Sequence, residues 1–346
     1  MAWGVPSRER RVLKAGHSSI AVTLPKPWAE AMNLHPGDLI VFDQNDDGTL
    51  YLRPAPVAGS ALVVSPYLVQ APAFDTPGVL ERLVVGAYRV GHDAIEIRSD
   101  TPIPPERVEE LLAAARRLIG VSVVAQEPNR IVLQNFIDPS KYGLPQLVQR
   151  MKMIMIAFLE ESETLLDRRG HSKRLPSLDE ETERVLALLV RQLFLASRDW
   201  SLARRIGSPD PRQLLEWRVV VHALQELGGL LSEIADLLDA SRERPSGDTA
   251  ALRTHLAEVK VGLKAVVDAL IRPSLTDACE AYAQVRALGD AARTSADRMG
   301  VTARRAGLHA ATVAAQRSAS CLTTLAEVAV DRAVSLGNES VVIAPA

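Results

Sequence analysis

Five cationic side chains fall within the first thirty residues: Arg8, Arg10, Arg11, Lys14 and Lys26. They face only Glu9 and Glu30, a surplus of three positive charges. The next stretch reverses the sign. Residues 31–54 carry Arg53 against Asp38, Asp43, Asp46 and Asp47, a surplus of three negative charges. A cluster of arginine and lysine needs no cofactor to do its chemistry, which is to set fixed positive charge and N–H donors against phosphate oxygens. A basic front and an acidic back suit a surface that meets phosphates. Charge alone does not decide the matter, since charged strand residues that merely face water produce the same composition.

The elements that would carry these cations can be read from the pattern around them. Arg11–Leu13 and Ser19–Leu24 alternate apolar and polar residues, the period of a half-buried strand. Ala15-Gly16-His17-Ser18 between them is a turn signal. Pro25 cannot donate to a ladder, so the second strand ends there. A short helix follows, with Pro27 in its first turn and Trp28, Ala31 and Met32 as a small apolar face. Leu34-His35-Pro36-Gly37-Asp38 closes it. Leu39–Phe42 and Leu50–Leu52 are then two strands joined through Asp46-Asp47-Gly48, whose Asp-Gly pair favours a hairpin. Fewer than ~60 residues in this pattern bury too little apolar surface to be stable alone. A second copy supplies the missing layer most simply, so size predicts pairing.

In order along this stretch stand Glu9-Arg10-Arg11-Val12, Gly16-His17-Ser18-Ser19, Val22-Thr23-Leu24-Pro25-Lys26-Pro27-Trp28 and Pro36-Gly37-Asp38. Together they resemble the SpoVT/AbrB-type DNA-binding domain over about 45 residues of compatible spacing. The resemblance implies a domain-swapped dimeric β-barrel, half of it from each chain, whose basic strand and loop residues enter a DNA groove. On the matching positions, Arg8, Arg10, Arg11, Lys14 and Lys26 are the DNA contacts it implies. Ser18, Ser19 and Thr23 join them as hydroxyls that position the phosphate backbone. His17 takes no role.

A chain of 346 residues is expected to hold two or three domains. Its formal net charge of −2 excludes coating of nucleic acid by the whole molecule, so any DNA contact must be local. Cys279 and Cys321 lie far apart in alanine- and leucine-rich surroundings and form neither a disulfide framework nor a metal site, which fits a reducing cytoplasm. Charge at Arg8 precedes any apolar run, so no signal peptide is expected. No stretch reaches the ~20 apolar residues needed to span a bilayer, and Val185–Ala196 is broken by Arg191 and Gln192.

After a linker at Pro54-Ala55-Pro56 and Gly59-Ser60, extended and helical patterns alternate. Leu62–Val64 reads as extended, Val79–Val90 as helical, Ala94–Ile97 as extended and Pro104–Ile119 as helical. Val121–Ala125 and Ile131–Leu133 read as strands split by Glu127-Pro128-Asn129. This is a small α/β layer of two helices on a sheet. It has no glycine loop to cradle a phosphate, and no nucleophile–His–carboxylate trio can be assembled from it, so structural coupling or dimerisation is its expected role. From about Tyr142 every pattern is helical: Leu144–Leu166, Glu180–Arg205, Gln213–Ala240, Ala250–Ile271, Thr276–Met299 and Val301–Leu336. Two successive sets of three suggest a duplicated three-helix bundle. The expected fold is therefore multidomain α+β. Residues 1–56 form a swapped-hairpin β-barrel half and 59–138 a small α/β middle domain. Residues 142–241 and 249–338 form C-terminal all-α tandem three-helix bundles.

Within those helices, Trp217-Arg218-Val219-Val220 through Ala235 and Ala315-Gln316-Arg317 through Asp331-Arg332-Ala333 resemble the closing helices of PhoU-type phosphate-signalling repeats. Val190-Arg191-Gln192-Leu193 and the preceding α/β insert resemble the form of that family fused to an AbrB-like domain. The resemblance implies a link to phosphate homeostasis, and a phosphate transporter or sensor kinase as partner. It also implies carboxylates four apart on a helix that share a divalent or ferric metal ion. Asp179 and Glu183 keep that spacing, and Glu226 stands where another pair should begin, but Leu230, Gln316 and Ser320 are not carboxylates. His222, four before Glu226, is a solvated neighbour, and Glu327 and Asp331 belong to a solvated face. Asp179, Glu183 and Glu226 are the metal ligands the resemblance implies.

Two functions follow. One is a homodimeric, cytoplasmic transcription regulator of phosphate physiology whose first domain binds DNA. The other is a PhoU-like adaptor whose first domain only pairs. A metal-dependent hydrolase is disfavoured, because the carboxylate set is incomplete and no activated nucleophile stands near it. The chain is expected not to be an enzyme.

Overall fold

A computed structural model describes residues 9–44, 48–55, 66–70, 76–167, 171–240, 246–297 and 306–336. It divides into two compact units, 1–63 and 64–346. The chain is multidomain and mostly helical, with a small N-terminal β region and C-terminal helices.

The first unit holds two antiparallel hairpins and one short helix. Strands β1 (Leu13–Ala15) and β2 (Ser19–Ala21) pair in the register Leu13↔Ala21, Lys14↔Ile20 and Ala15↔Ser19. Gly16 makes the tight reversal possible with φ of 80°, a left-handed backbone that a side chain would strain. Helix α1 (Lys26–Ala31) follows Pro25 directly, with Pro27 in its first turn as the pattern requires. The Pro36-Gly37-Asp38 turn is closed by Asp38, whose Oδ2 accepts from the His35 amide at 2.7 Å. Strands β3 (Ile40–Gln44) and β4 (Leu50–Pro54) pair from Ile40↔Pro54 to Gln44↔Leu50. Asp46 and Asp47 of the expected turn lie outside the described residues. Among the described residues the two hairpins share no ladder.

In the second unit a four-stranded sheet has the order β5-β6-β8-β7, made of β5 (Tyr67–Gln70), β6 (Ala94–Arg98), β7 (Val121–Glu127) and β8 (Arg130–Asn135). β5 and β6 are parallel, joined through helix α2 (Val79–Arg89). The other neighbours are antiparallel, and helix α3 (Pro105–Arg116) leads into β7. The extended segment expected at Leu62–Val64 lies outside the described residues, and the strand at Tyr67–Gln70 was not anticipated. Ile95, Ile97, Ile131 and Leu133 turn one sheet face toward Leu80, Val84, Leu111 and Ala114 of the helices. The N-terminal amides of α2 at Gly78 and Glu81 donate to Glu110 Oε1 at 3.0 and 3.2 Å, and Arg107 holds that carboxylate at 2.7 Å. A carboxylate there also satisfies the helix dipole.

Glu96, with a side chain 5 % exposed, stands on the opposite face of β6 and accepts from Arg98 Nε at 2.7 Å and from Arg130. Hydrogen bonds from Arg98 and Arg130 hold its carboxyl below the usual range, outweighing the opposing effect of burial. A depressed folded-state pKa gives stability above the unfolded value of 4.5, lost as pH falls through the lower folded value. Glu96→Gln is therefore expected to lower the urea midpoint at pH 7. The gap to wild type should close as titrations move below pH ~4.

Among the described residues the second unit continues with the helices α4 (Leu144–Asp167), α5 (Leu175–Ala196), α6 (Trp200–Arg205), α7 (Pro211–Ala240), α8 (Ser246–Ile271), α9 (Leu275–Asp297) and α10 (Ala306–Leu336). Helices α4, α5 and α7 pack pairwise, as do α8, α9 and α10. The two sets meet along α7 against α10 and α4 against α8. One apolar core runs through both. Trp217, Val220, Val221, Leu224, Leu227, Leu231, Ile234 and Leu238 of α7 are all buried in it, the period-3.6 stripe of a helix with a covered face. Polar ties also cross between the sets, Lys260 to Glu163 at 3.0 Å and Arg253 to Asp167 at 2.6 Å among them. Lys152 donates to Asp268 at 2.7 Å, and buried Arg332 donates to Glu216 at 2.9 Å with its guanidinium 4.2 Å from the Trp217 ring centre.

The helix expected over Glu180–Arg205 is two helices, and the first begins earlier, at Leu175, with Pro176 in its opening turn. It stops at Ala196 because Asp199 starts a new helix. Asp199 Oδ1 accepts from the amides of Ser201 and Leu202 at 2.9 and 3.1 Å, an N-cap that competes with continuation. No helix among the described residues is long and apolar enough to cross a membrane.

Candidate nucleic-acid interface

Arg10 and Arg11 lead into β1, Lys14 is its middle residue, and all three are exposed. None of the three has an ion-pair partner among the described residues. The β1–β2 register sets Lys14 opposite Ile20, on the face away from Leu13, Ala15, Ser19 and Ala21. Ser18 follows the turn and Ser19 opens β2; with Thr23 they are exposed. Lys26 is also exposed but lies 3.7 Å from Glu30, one turn ahead on α1. A solvated pair of this kind contributes little and leaves the ammonium free to exchange partners. Arg8 lies outside the described residues.

No described residue of this unit is buried. Ile20 is 77 % exposed, Leu39 76 % and Phe42 60 %, joined by Val12, Leu13, Val22, Met32, Leu50 and Tyr51. The apolar face expected for the short helix is likewise uncovered: Trp28 is half-buried and Ala31 and Met32 are exposed. The strand alternation is present, yet it points at nothing within the chain. Apolar surface left uncovered to this extent is characteristic of an interface.

The metal ligands expected in the second unit are not brought together. Asp179 on α5 accepts from Ser232 at 2.7 Å. Glu183, one turn on, lies 3.7 Å from Arg117, which is held at 2.8 Å by Glu81. Both line a cleft of about 730 Å³ between α2 and helices α5 and α7. Glu226 lines a different groove, with Glu233, Arg317, Ser320 and Cys321, and pairs with exposed His222 at 3.8 Å. The two grooves adjoin at Gly229, and Gln225 and Glu226, one helical step apart on α7, line one each. Among the described residues no group of three His, Cys, Asp or Glu side chains could hold a metal. Asp236 lies near Asp179; burial first, then Asp179 and Asp239, push its carboxyl above the ordinary range.

The α/β layer and the helices are tied by Arg191, which breaks the apolar run Val185–Ala196. Arg191 of α5 is buried and donates to the carbonyls of Tyr88 at 2.7 Å and His92 at 2.9 Å, and to the Asp93 carboxylate. Its guanidinium lies 4.8 Å from the Tyr88 ring centre. The Tyr88 hydroxyl donates to Ile119 O at 2.9 Å, and burial pushes its pKa up to about 12.

Comparison with known families touches the first unit. The family model described as antidote-toxin recognition MazE, bacterial antitoxin, matches residues 13–59. The first unit carries a MazE/AbrB-like domain. The match spans both hairpins and α1, and it begins at Leu13, the first residue of β1. No curated protein and no solved structure matches the chain. The MazE/AbrB-like domain suggests a DNA-binding, dimerising regulator, and it is the part of the chain that bears the exposed cations.

Proposed function

We propose that the protein is a homodimeric transcription regulator. Two MazE/AbrB-like domains would interlock into one barrel that covers the exposed Leu13 and Phe42 and sets Lys14, on the opposite face of its hairpin, with Arg10 and Arg11 of both chains along one DNA-facing ridge. The observation that carries this reading is the combination, in one small unit, of an uncovered apolar surface and unpaired cations. Pairing doubles the fixed charge presented to a duplex, and phosphate contacts then supply most of the affinity. Ser18, Ser19, Thr23 and Lys26 serve as backbone contacts beside them. The helical body, by its resemblance to PhoU-type repeats, relays phosphate status from a transporter or sensor kinase in the cytoplasm. In this reading the protein regulates and does not catalyse.

A gel-shift titration on the DNA upstream of its own gene tests the proposal. Wild-type protein is expected to give a discrete complex that excess unrelated DNA does not displace, and Arg10→Ala with Arg11→Ala to abolish it. Absence of any complex at low salt would favour an adaptor that pairs through this domain without reading DNA. A further reading, recognition of a toxin protein, rests on the description of the matched family model. Co-expression with a toxin encoded beside the gene, followed by co-purification, would reveal it.

A further inference from the structure

Three arginines and three carboxylates line the cleft between α2 and helices α5 and α7, but two of the arginines are left without a paired carboxylate among the described residues. Arg82 and Arg89, seven residues apart on α2, present the same helix face to it, and Arg117 lines it from beyond α3. Arg117 takes both carboxylates within reach, Glu81 at 2.8 Å and Glu183 at 3.7 Å. Asp179, on the far wall, is held by Ser232 at 2.7 Å. Arg82 and Arg89 have no ion-pair partner among the described residues. Arg89 Nε is buried and makes no hydrogen bond. A buried guanidinium donor without an acceptor is costly and uncommon in a folded interior. Burial depresses the Arg89 pKa most, and Arg82 and Arg218 depress it further, while Glu183 opposes them. Backbone amides do not compete for an anion at this end of α2, because Glu110 already occupies those of Gly78 and Glu81.

The geometry points to a binding site for a small dianion, a phosphate group or a dicarboxylate, held by Arg82 and Arg89 in the cleft between the α/β layer and the helices. Two unpaired guanidinium groups on one helix face, Arg82 exposed and Arg89 half-buried, suit two negative charges, and their planar forks suit paired oxygens. A volume of about 730 Å³ accommodates a small molecule. Gly229 lines the cleft without a side chain, and nothing lies within 4 Å of where its Cβ would stand. The site lies wholly within the second unit and stands whether or not the first unit binds DNA. A ligand there would touch α2 on one side and α5 and α7 on the other, bridging the two layers that Arg191 ties together.

Isothermal titration calorimetry of the full chain, with inorganic phosphate in one arm and succinate in the other, tests the site. At least one is expected to bind saturably, one per chain, at concentrations up to about 20 mM, where even a millimolar site would fill. Arg82→Gln and Arg89→Gln should each weaken that binding roughly tenfold or more. Arg116→Gln, an exposed arginine paired with Glu109 outside the cleft, should leave it unchanged. Glu183→Gln removes the carboxylate nearest Arg89 and should tighten binding roughly three-fold, a gain that misfolding cannot imitate. Phosphate binding alone or succinate binding alone identifies the class. Binding of neither, or binding that survives both arginine substitutions, would overturn the site.

Discussion

Phe42→Asp is expected to convert the protein's first unit from paired to unpaired and to eliminate DNA binding. In a single chain Phe42 is 60 % exposed, on the face of the second hairpin that also carries Ile40, Leu50 and Leu52. Were that face bathed in water, a carboxylate there would change stability by no more than about 0.5 kcal/mol. If a second copy covers it, the same carboxylate is buried without a partner. The pairing then weakens by about 3 kcal/mol or more, over a hundredfold. Sedimentation velocity and the gel shift should therefore fail together in this variant. Phe42→Leu, which keeps the face apolar, should retain both. A Phe42→Asp protein that still bound DNA would show that the apolar face is not covered by pairing.

The second large effect belongs to the second unit. Arg191→Ala removes the donors of the Tyr88 and His92 carbonyls and the stack on the Tyr88 ring, all at the seam between the α/β layer and α5. The abandoned Asp93 carboxylate is half exposed and finds water, so little of the cost arises there. The carbonyls and the cavity carry it, and about 2–4 kcal/mol of unfolding free energy should be lost. Arg191→Met refills the volume without the donors and should recover only part of that loss. Urea titrations of the three proteins measure it. Equal stability of wild type and Arg191→Ala would mean that the two layers are held by apolar contacts alone.

The regular elements of the second unit were legible because each keeps one apolar face. Val79–Val90 and Leu144–Leu166 repeat at three and four, and the helices lie within a residue of those limits. Breaks set by a single capping side chain were harder to see. Ser197-Arg198-Asp199 sits inside an otherwise continuous pattern, and Asp199 became a signal only once its oxygen was seen to cap Trp200–Arg205. Pro176, in the first turn of α5, was a start signal passed over in favour of Glu180.

Site residues divide along the same line. Arg10, Arg11 and Lys14 are neighbours in sequence, on β1 or just before it, so their grouping could be read directly. The cleft is assembled from α2, the end of α3, α5 and α7, elements separated by about a hundred residues or more in part, and no local spacing announces it. The seven-residue interval between Arg82 and Arg89, two turns on one face, was the single trace it left. Asp179, Glu183 and Glu226 show the reverse error. A ligand spacing on one helix does not bring a third carboxylate to it, and Glu226 faces another groove.

Everything proposed for the first unit depends on its pairing around DNA, and a salt titration of binding to the protein's own upstream DNA reports on it most directly. Two chains should occupy each duplex, and log K should fall against log salt with a slope on the order of −5 or steeper, since both copies contribute cations. Arg10→Ala alone, one arginine lost from each chain, should flatten that slope by about two. One chain per duplex, or a slope that this substitution leaves untouched, would contradict the account.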